Sequence, residues 1–230
     1  VIYVSVENTA AGTTTASVAG GGTLTGDSGA TIDAGDTSTL DSSITGVSVS
    51  LGLIAAAASF VRSFNEVSTA VRASVDASTA GSDGGDVTIS AESTANIKRT
   101  DTTNVAVSVG VSGAGTDQLS AATISGATVA TVTGDATLTA KNGTVAVLST
   151  GDLVATAKGA GGSGAILVSG STASATADIS RDTQASVQDG AKVTAGALTV
   201  TAELKRGNAS ASTEIGTFAV AGAGSGVTCT

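Results

Sequence analysis

Proline, histidine, methionine and tryptophan are all absent from this chain of 230 residues, and aromatic side chains make up only 2% of it. A compact globular core normally depends on large side chains, each of which buries much apolar area. Burial in this chain must therefore come from many small aliphatic side chains, as in the thin cores of repeat proteins. Hydrophobic residues at 41% and a mean hydropathy of +0.34 argue against disorder.

The absence of histidine also removes most of the usual catalytic chemistry. A serine or cysteine nucleophile usually needs a histidine base, and the single cysteine, Cys229, excludes both an internal disulfide and a thiolate metal cage. We predict that Cys229 is an incidental free thiol, with an intermolecular bridge as the alternative. Paired carboxylates remain as one catalytic option, but a sugar-cleaving groove would also need aromatic platforms and basic residues. The sequence therefore predicts no enzyme, no catalytic residue and no bound cofactor.

Positive charge is scarce as well, since 10 lysines and arginines stand against 19 acidic residues and give a net charge of −9. Phosphate binding needs clustered basic residues, so we predict no nucleic-acid partner. No run reaches the roughly 18 apolar residues of a membrane-spanning helix, which predicts that the chain is not transmembrane. The start at Val1 shows no basic segment followed by an apolar run, so we expect a mature product or an excerpt of a longer protein.

What the chain does contain is repetition. The heptad at 134–140 (GDATLTA) has close relatives at 85–91 and 196–202, and in each a turn residue precedes alternating aliphatic and hydroxyl side chains. That alternation is the period-2 pattern of a half-buried strand, so we predict strands in equivalent places. Gly85 and Gly196, the first residues of two of these heptads, lie 111 residues apart, and the second half of the chain repeats the pattern of the first.

This long period divides into two shorter units, each with a smooth run of valine, alanine and glycine. The runs are 47–58, 105–115, 153–168 and 218–227. Ordered units of about 50–60 residues indicate a solenoid, propeller or array, and the lack of aromatic blade motifs and of proline favours a solenoid. We predict an all-β fold, an elongated parallel β-solenoid with two or three coils of roughly 20 residues per unit. A β-sandwich-type fibre subunit is the alternative.

Two finer assignments complete the predicted architecture. Large apolar residues between Phe60 and Val75 fall three or four positions apart, as on an amphipathic helix, but Val75 matches Val187 of a plainly alternating segment. We predict a strand over 61–75, with a helix as the alternative. We also divide the single domain into an N-terminal strand with an Asp/Gly-rich turn region at 1–46 and a repetitive β-solenoid body at 47–230.

The chain resembles the repetitive passenger regions of large bacterial surface and secreted proteins, namely filamentous-haemagglutinin-like adhesins and autotransporter-type exoproteins. The resemblance rests on the segment 195–202 (AGALTVTA), on valine, alanine and glycine runs such as 218–227, and on the Ala-x-Ala alternation over 173–179. It implies an extracellular or cell-surface β-solenoid that displays an adhesive surface or forms fibres. The resemblance carries over no catalytic residue.

We therefore expect a non-enzymatic extracellular structural protein, a subunit or segment of a surface filament, sheath or adhesin stalk that assembles with itself through strand edges and ends. The candidate assembly residues lie in the terminal strands: Val1, Tyr3, Val6, Phe218, Val220 and Val227. The alternative is a binding module that recognises a glycan, a host or neighbouring-cell surface, or ice. Hydroxyl pairs such as Thr137 with Thr139 would then form the binding face.

Calcium is the one metal with candidate ligands. Aspartate oxygens in turns are normal calcium ligands, and the candidates are Asp33, Asp36, Asp83 and Asp86. Aspartate and glycine are also ordinary turn residues. Solvated turns are therefore the prediction, and a structural calcium site is the alternative.

Overall fold

The computed structural model describes residues 1–230 and consists of β-strands joined by turns. The strands are β1 Ile2–Val18, β2 Thr23–Gly26, β3 Gly29–Asp76, β4 Thr79–Ser82, β5 Asp86–Thr133, β6 Thr137–Ala165, β7 Val168–Val187, β8 Lys192–Ala219 and β9 Gly222–Cys229. The chain forms no helix with the length and apolar character needed to cross a membrane. Most backbone hydrogen bonds, 142 of 156, lie within these regular elements.

Every strand pairing is parallel and follows one winding path. Ile2 pairs with Ser59, Ser59 with Thr116, Thr116 with Ser171 and Ser171 with Ser225, at spacings of 57, 57, 55 and 54 residues. Each interval is one coil, so coils 1 to 4 comprise residues 2–58, 59–115, 116–170 and 171–224. The predicted parallel β-solenoid is confirmed. The expectation of two or three coils per unit is wrong, because one unit is a single wide coil.

Each coil is a flattened loop with two broad faces and two turns. The first broad face comprises 29–51, 87–109, 145–165 and 198–219, and the second comprises β1, 54–76, 111–133, 168–187 and β9. Short stacked strands at 23–26, 79–82, 137–140 and 192–195 form one turn, which we call the cap end. At about 3.3 Å per residue a face is roughly 75 Å long, whereas coils about 4.8 Å apart stack to roughly 19 Å.

Alternation explains why these segments form strands. Over most of both faces the inward positions carry alanine, valine, isoleucine and leucine, and the outward positions carry threonine, serine and charged residues. Near the cap end, inward side chains of both faces meet the cap strands in one cluster that includes Val75 and Leu138. A second cluster, further along the faces, includes Ile97 and Ile124. The core is therefore thin and aliphatic.

Beyond the second cluster, polar side chains share the interior with Ile44, Val61 and a small cluster of alanines. The Asn65 amide donates to Ser42 Oγ and to Thr100 Oγ1, each at 2.8 Å, and so joins one broad face to the other. Ser42 and Ser63 are linked at 2.8 Å, and the Asn8 amide donates to the Asn65 side chain of the next coil at 2.9 Å. Because these buried groups bond one another, the cost of removing them from water is largely offset.

The three related heptads do not lie in equivalent places, which corrects the sequence-based prediction. Residues 87–91 and 198–202 both pair with 145–149 on the first broad face. Residues 137–140 instead pair with β4 and form a cap strand. A turn followed by alternation looks the same on either side of a corner, so the pattern could not separate the two positions. The 111-residue period corresponds to two coils, because residues 87, 145 and 198 are in register.

Three further predictions concern residues that lie in β3. Residues 61–75 lie within this strand, so the predicted strand is confirmed and the helix alternative is wrong. The runs 47–58 and 105–115 pair with each other, as expected of counterparts. The division between residues 46 and 47 lies inside β3, whose pairing with β5 continues on both sides of it.

The thin core predicts that single large aliphatic residues matter. Leu138 on the cap strand is 0% exposed, whereas Leu198 on coil 4 is 50% exposed. We expect Leu138→Ala to lower the free energy of unfolding by about 2–5 kcal/mol, through lost burial and a cavity. The control Leu198→Ala, measured on dilute and separate copies, should cost only about 1 kcal/mol, since much of its surface then meets water. Guanidinium titration followed by circular dichroism measures both, and equal costs would contradict this account of the core.

Candidate functional site

Two edges of the solenoid have no strand beside them. At the first edge, on coil 1, β1 pairs only with β3 and β2 pairs only with β4. At the last edge, on coil 4, β8 pairs only with β6, and β9 pairs only with β7. Each edge therefore presents a row of backbone N–H and C=O groups that can pair with a further strand.

Bonding direction and side-chain direction are coupled along these strands. Thr79 and Thr137 point outward and donate their backbone N–H to the preceding coil, to the carbonyls of Gly22 and Ser78 at 2.9 Å. Successive residues of a strand bond to opposite neighbours and point to opposite faces. Inward-pointing residues therefore bond to the following coil, and at the last edge their backbone groups are the free ones.

The last edge also exposes positions that belong to the core. Leu198 and Val200 point inward on coil 4, yet Val200 is 42% exposed. Their register partners one coil earlier, Val145 and Val147, are 0% exposed. The difference arises because no strand covers the first broad face of coil 4 on its outer side. Apolar area that a further coil would bury is therefore in contact with water.

Charge is distributed unequally between the two terminal coils. Coil 1 contains five acidic residues and no lysine or arginine; the five are Glu7, Asp27, Asp33, Asp36 and Asp41. Coil 4 contains four of the ten basic residues, namely Arg181, Lys192, Lys205 and Arg206, and five acidic residues, namely Asp178, Asp182, Asp189, Glu203 and Glu214. The net charge is therefore −5 on coil 1 and −1 on coil 4, so a first edge is repelled less by a last edge than by another first edge.

The sequence-predicted assembly residues lie at these two edges. On coil 1, Val1 and Tyr3 are exposed and Val6 is half-buried, and the Arg62 guanidinium lies 6.0 Å from the centre of the Tyr3 ring. On and just after coil 4, the exposed residues are Phe218, Val220 and Val227. The two groups are held at opposite edges of the stack, so no single site within one chain contains both.

The four candidate calcium ligands each contact another group of the chain. Asp33 and Asp36 accept hydrogen bonds from the hydroxyls of Ser90 and Ser38, Asp83 pairs with Lys141 at 2.7 Å, and Asp86 accepts from the Thr144 backbone N–H at 2.7 Å. Asp33 points outward and Asp36 points inward, so the two carboxylates do not converge. No group of three or more acidic, histidine or cysteine side chains is arranged to hold a metal ion.

The candidate hydroxyl pair Thr137 with Thr139 lies on the cap end and stacks on its equivalents in the other coils. Those equivalents are Thr23 with Thr25, Thr79 with Gly81, and Lys192 with Thr194. Glycine interrupts the array on coil 2 and lysine interrupts it on coil 4. The repeated pair is therefore complete on coils 1 and 3 only.

Sequence reasoning missed a half-buried cation inside the solenoid. Arg181 donates to Thr128 Oγ1 at 3.0 Å, one coil earlier, and to Thr69 Oγ1 at 3.1 Å, two coils earlier. Its register partner is Gly126, where a Cβ atom would meet the backbone of Thr69. Burial lowers the pKa of Arg181, and the charge of Asp36 acts in the opposite direction. The match of arginine with glycine is visible in the sequence only once the coil length is known.

Two outward carboxylates differ in how the fold affects them. Arg206 donates to both oxygens of Asp152, at 2.6 and 2.7 Å, and this lowers the pKa of Asp152. Burial raises the pKa of Asp101, and the positive charges of Arg99 and Lys158 counteract that effect only in part. Folding therefore favours the charged form of Asp152 and the neutral form of Asp101.

These opposite shifts predict opposite responses to amide substitution. The raised pKa of Asp101 reduces stability as pH rises above its ordinary value of 3.8, whereas the lowered pKa of Asp152 adds stability that is lost as pH falls below 3.8. At pH 7 we expect Asp101→Asn to raise the unfolding temperature slightly and Asp152→Asn to lower it. Both differences should vanish in strong acid, where both carboxylates are protonated. Thermal melts across this pH range check the signs, and matching signs at pH 7 would contradict them.

No protein-family model, curated protein or solved structure matches this chain. The resemblance to adhesin and exoprotein passenger regions therefore stays a prediction. The open edges, their unequal charge and the exposed core positions are the observations that bear on function.

Proposed function

We propose that this chain is a non-enzymatic structural protein of the cell surface or extracellular space, a subunit or segment of a filament, sheath or adhesin stalk. Its solenoid is extended when the last edge of one copy pairs with the first edge of another. Main-chain hydrogen bonds and small-residue packing then continue from coil to coil. The observation that carries the proposal is the pair of open, parallel edges at which core positions of coil 4 are exposed.

On the first broad face the two edges match in the positions that would meet. On the second face, residues 2–6 of a second copy take the same positions beside 171–175 as residues 225–229 of the first, so stacking in register requires β1 of the second copy to displace β9. If a second copy continues the observed register, its Ala30 and Ile32 lie over Leu198 and Val200, because these residues occupy the same positions of their coils. Aliphatic groups then cover the area that coil 4 leaves exposed. The head-to-tail arrangement is heterologous and does not close on itself, so it generates a filament of unlimited length.

Charge supports the same polarity of assembly. Coil 1 of one copy, with a net charge of −5, meets coil 4 of the next, with a net charge of −1, whereas two first edges placed together would bring two charges of −5 together and repel more strongly. The extracellular location rests on the likeness in composition and repeat style to secreted passenger regions.

An inward-pointing charge at the last edge should block this assembly. Ala202 is exposed, and its equivalents Ala91 and Ala34 are 1% and 2% exposed in their coils. A lysine at this position meets water in a single copy but would be buried without a partner under a second copy. We expect Ala202→Lys to weaken end-to-end association about 100-fold or more, since burial of an unpaired charge costs several kcal/mol.

The matched control is Thr201→Lys, which adds the same charge one residue away on the outward side. It should leave association almost unchanged. Negative-stain microscopy and light scattering of the purified chain and both variants distinguish filaments from separate particles. The proposal fails if the unmodified chain stays monomeric at high concentration, or if Ala202→Lys polymerises as readily as Thr201→Lys.

A further inference from the structure

The turn opposite the cap end has an inverted alternation. On its approach in coils 1 and 2, serines occupy inward positions, and Ser48 and Ser108 are buried. The neighbouring Val49 and Val109 point outward and are exposed. Elsewhere on the faces the aliphatic side chain is the inward one. The inversion continues around the turn, where Leu53 is 91% exposed and Ile54 is 90% exposed.

The same region contains no charged side chain on any coil. The charge-free stretches are 42–61, 102–116, 159–177 and 215–230, and they stack on one another around this turn. We call the turn and these stretches the apolar end. Fifteen of the 20 large apolar residues that are exposed lie within it. Every charged side chain lies elsewhere, so the net charge of −9 is confined to the rest of the molecule.

The fold does not require apolar side chains at the outward positions of the apolar end. The two faces converge at the turn, so only small side chains fit inward, but the outward positions are free to be polar. The cap end shows this, since its outward positions include Asp27, Asp83 and Lys141. Strand propensity does not explain the difference either, because threonine is also a good strand former and fills outward positions such as Thr31 and Thr88.

The size of the apolar end is that of an interface. About ten residues around the turn at about 3.3 Å each, on coils about 4.8 Å apart, give a surface on the order of 600 Å². This equals or exceeds the largest apolar patch of a typical monomer, roughly 300–600 Å². It also approaches the area of about 800 Å² that each partner contributes to a stable protein interface.

We propose that the apolar end is a lateral interface at which two copies of this chain pair side by side. A partner with charged groups would bury them unpaired against this surface, whereas a second apolar end brings none. Pairing there also holds the acidic remainder of each copy away from the other. A two-fold arrangement lets the ridges of one copy, which repeat at the coil spacing, fit between those of the other.

A lipid surface fits the apolar end less well. Membrane-surface proteins commonly place lysine, arginine and tryptophan beside the inserted apolar residues. The apolar end has no lysine or arginine, the chain has no tryptophan, and its net charge is negative. These features disfavour anionic lipid in particular.

The test uses the Ala202→Lys background, in which end-to-end assembly is blocked. Leu51 and Val109 are register partners that point outward at the apolar end. The double substitution Leu51→Lys with Val109→Glu leaves the net charge unchanged. The control, Thr31→Lys with Thr88→Glu, places the same two charges on register partners of the first broad face near the cap end. Circular dichroism establishes that each variant retains its strands.

Sedimentation velocity should show a dimer for Ala202→Lys alone and for the control. The Leu51/Val109 variant should raise the dissociation constant about 100-fold or more, since its charges lose water at the interface. The conservative pair Leu51→Ile with Val109→Ile should restore the dimer. The proposal is overturned if Ala202→Lys stays monomeric at a protein concentration about 100 times that of the stacking assay. This range of concentration corresponds to a roughly 100-fold difference in dissociation constant. The proposal is also overturned if both charge pairs act alike, or if the monomer floats with phosphatidylcholine vesicles.

The test of lateral pairing can be distinguished from the test of end-to-end assembly. If both interfaces exist, the unmodified chain forms paired filaments, the Leu51/Val109 variant alone forms thin single filaments, and Ala202→Lys alone forms discrete dimers. If Ala202→Lys still polymerises, the edge proposal fails. Filament width in the Leu51/Val109 variant then reports lateral pairing by itself.

Discussion

The parallel backbone ladder between successive coils is the constraint on which this structure depends. With almost no aromatic side chains, the chain cannot build a core from a few large contacts, so regular coil-to-coil hydrogen bonding fixes most of the fold. Each strand residue within the stack must bond to a neighbouring coil, which excludes proline from interior strands. Inward side chains must also be small enough for two faces to approach. Composition and architecture thus follow from the same requirement.

A thin core leaves the outward surface free to vary, and the two turns differ because of this freedom. The cap end carries aspartates and lysines that meet water, whereas the opposite turn carries valine, leucine and isoleucine. The interior has a corresponding gradient, from aliphatic clusters near the cap end to hydrogen-bonded hydroxyls and amides further along. The exposed edges and the outward faces are the surfaces of such a molecule that a partner can contact.

The alternation and the internal repeat were sufficient to predict a parallel β-solenoid and the equivalence of Val75 with Val187, which lie two coils apart in one register. The coil length was not predictable, because glycines occur near both turns of a coil and β3 and β5 continue through the apolar end without a break, so the pattern does not show which turns complete a coil. The position of 134–140 was misjudged because corners look alike from either side. The contact of Arg181 with Thr69 spans 112 residues and has no local signal. The candidate assembly residues were assigned to the terminal strands, but the alternation alone did not reveal the inversion at the apolar end.

The coupling between side-chain direction and hydrogen-bond direction lets the last edge discriminate against a strand that is out of register. A strand that adds to this edge one residue out of register can still form its backbone hydrogen bonds, because every residue offers the same N–H and C=O groups, but it turns its apolar side chains to water and its hydroxyl side chains toward the core. Such a strand gains hydrogen bonds without burial, so it is held less tightly than a correctly aligned strand. A chain of low sequence complexity, in which many local alignments look alike, can therefore still extend with a single register.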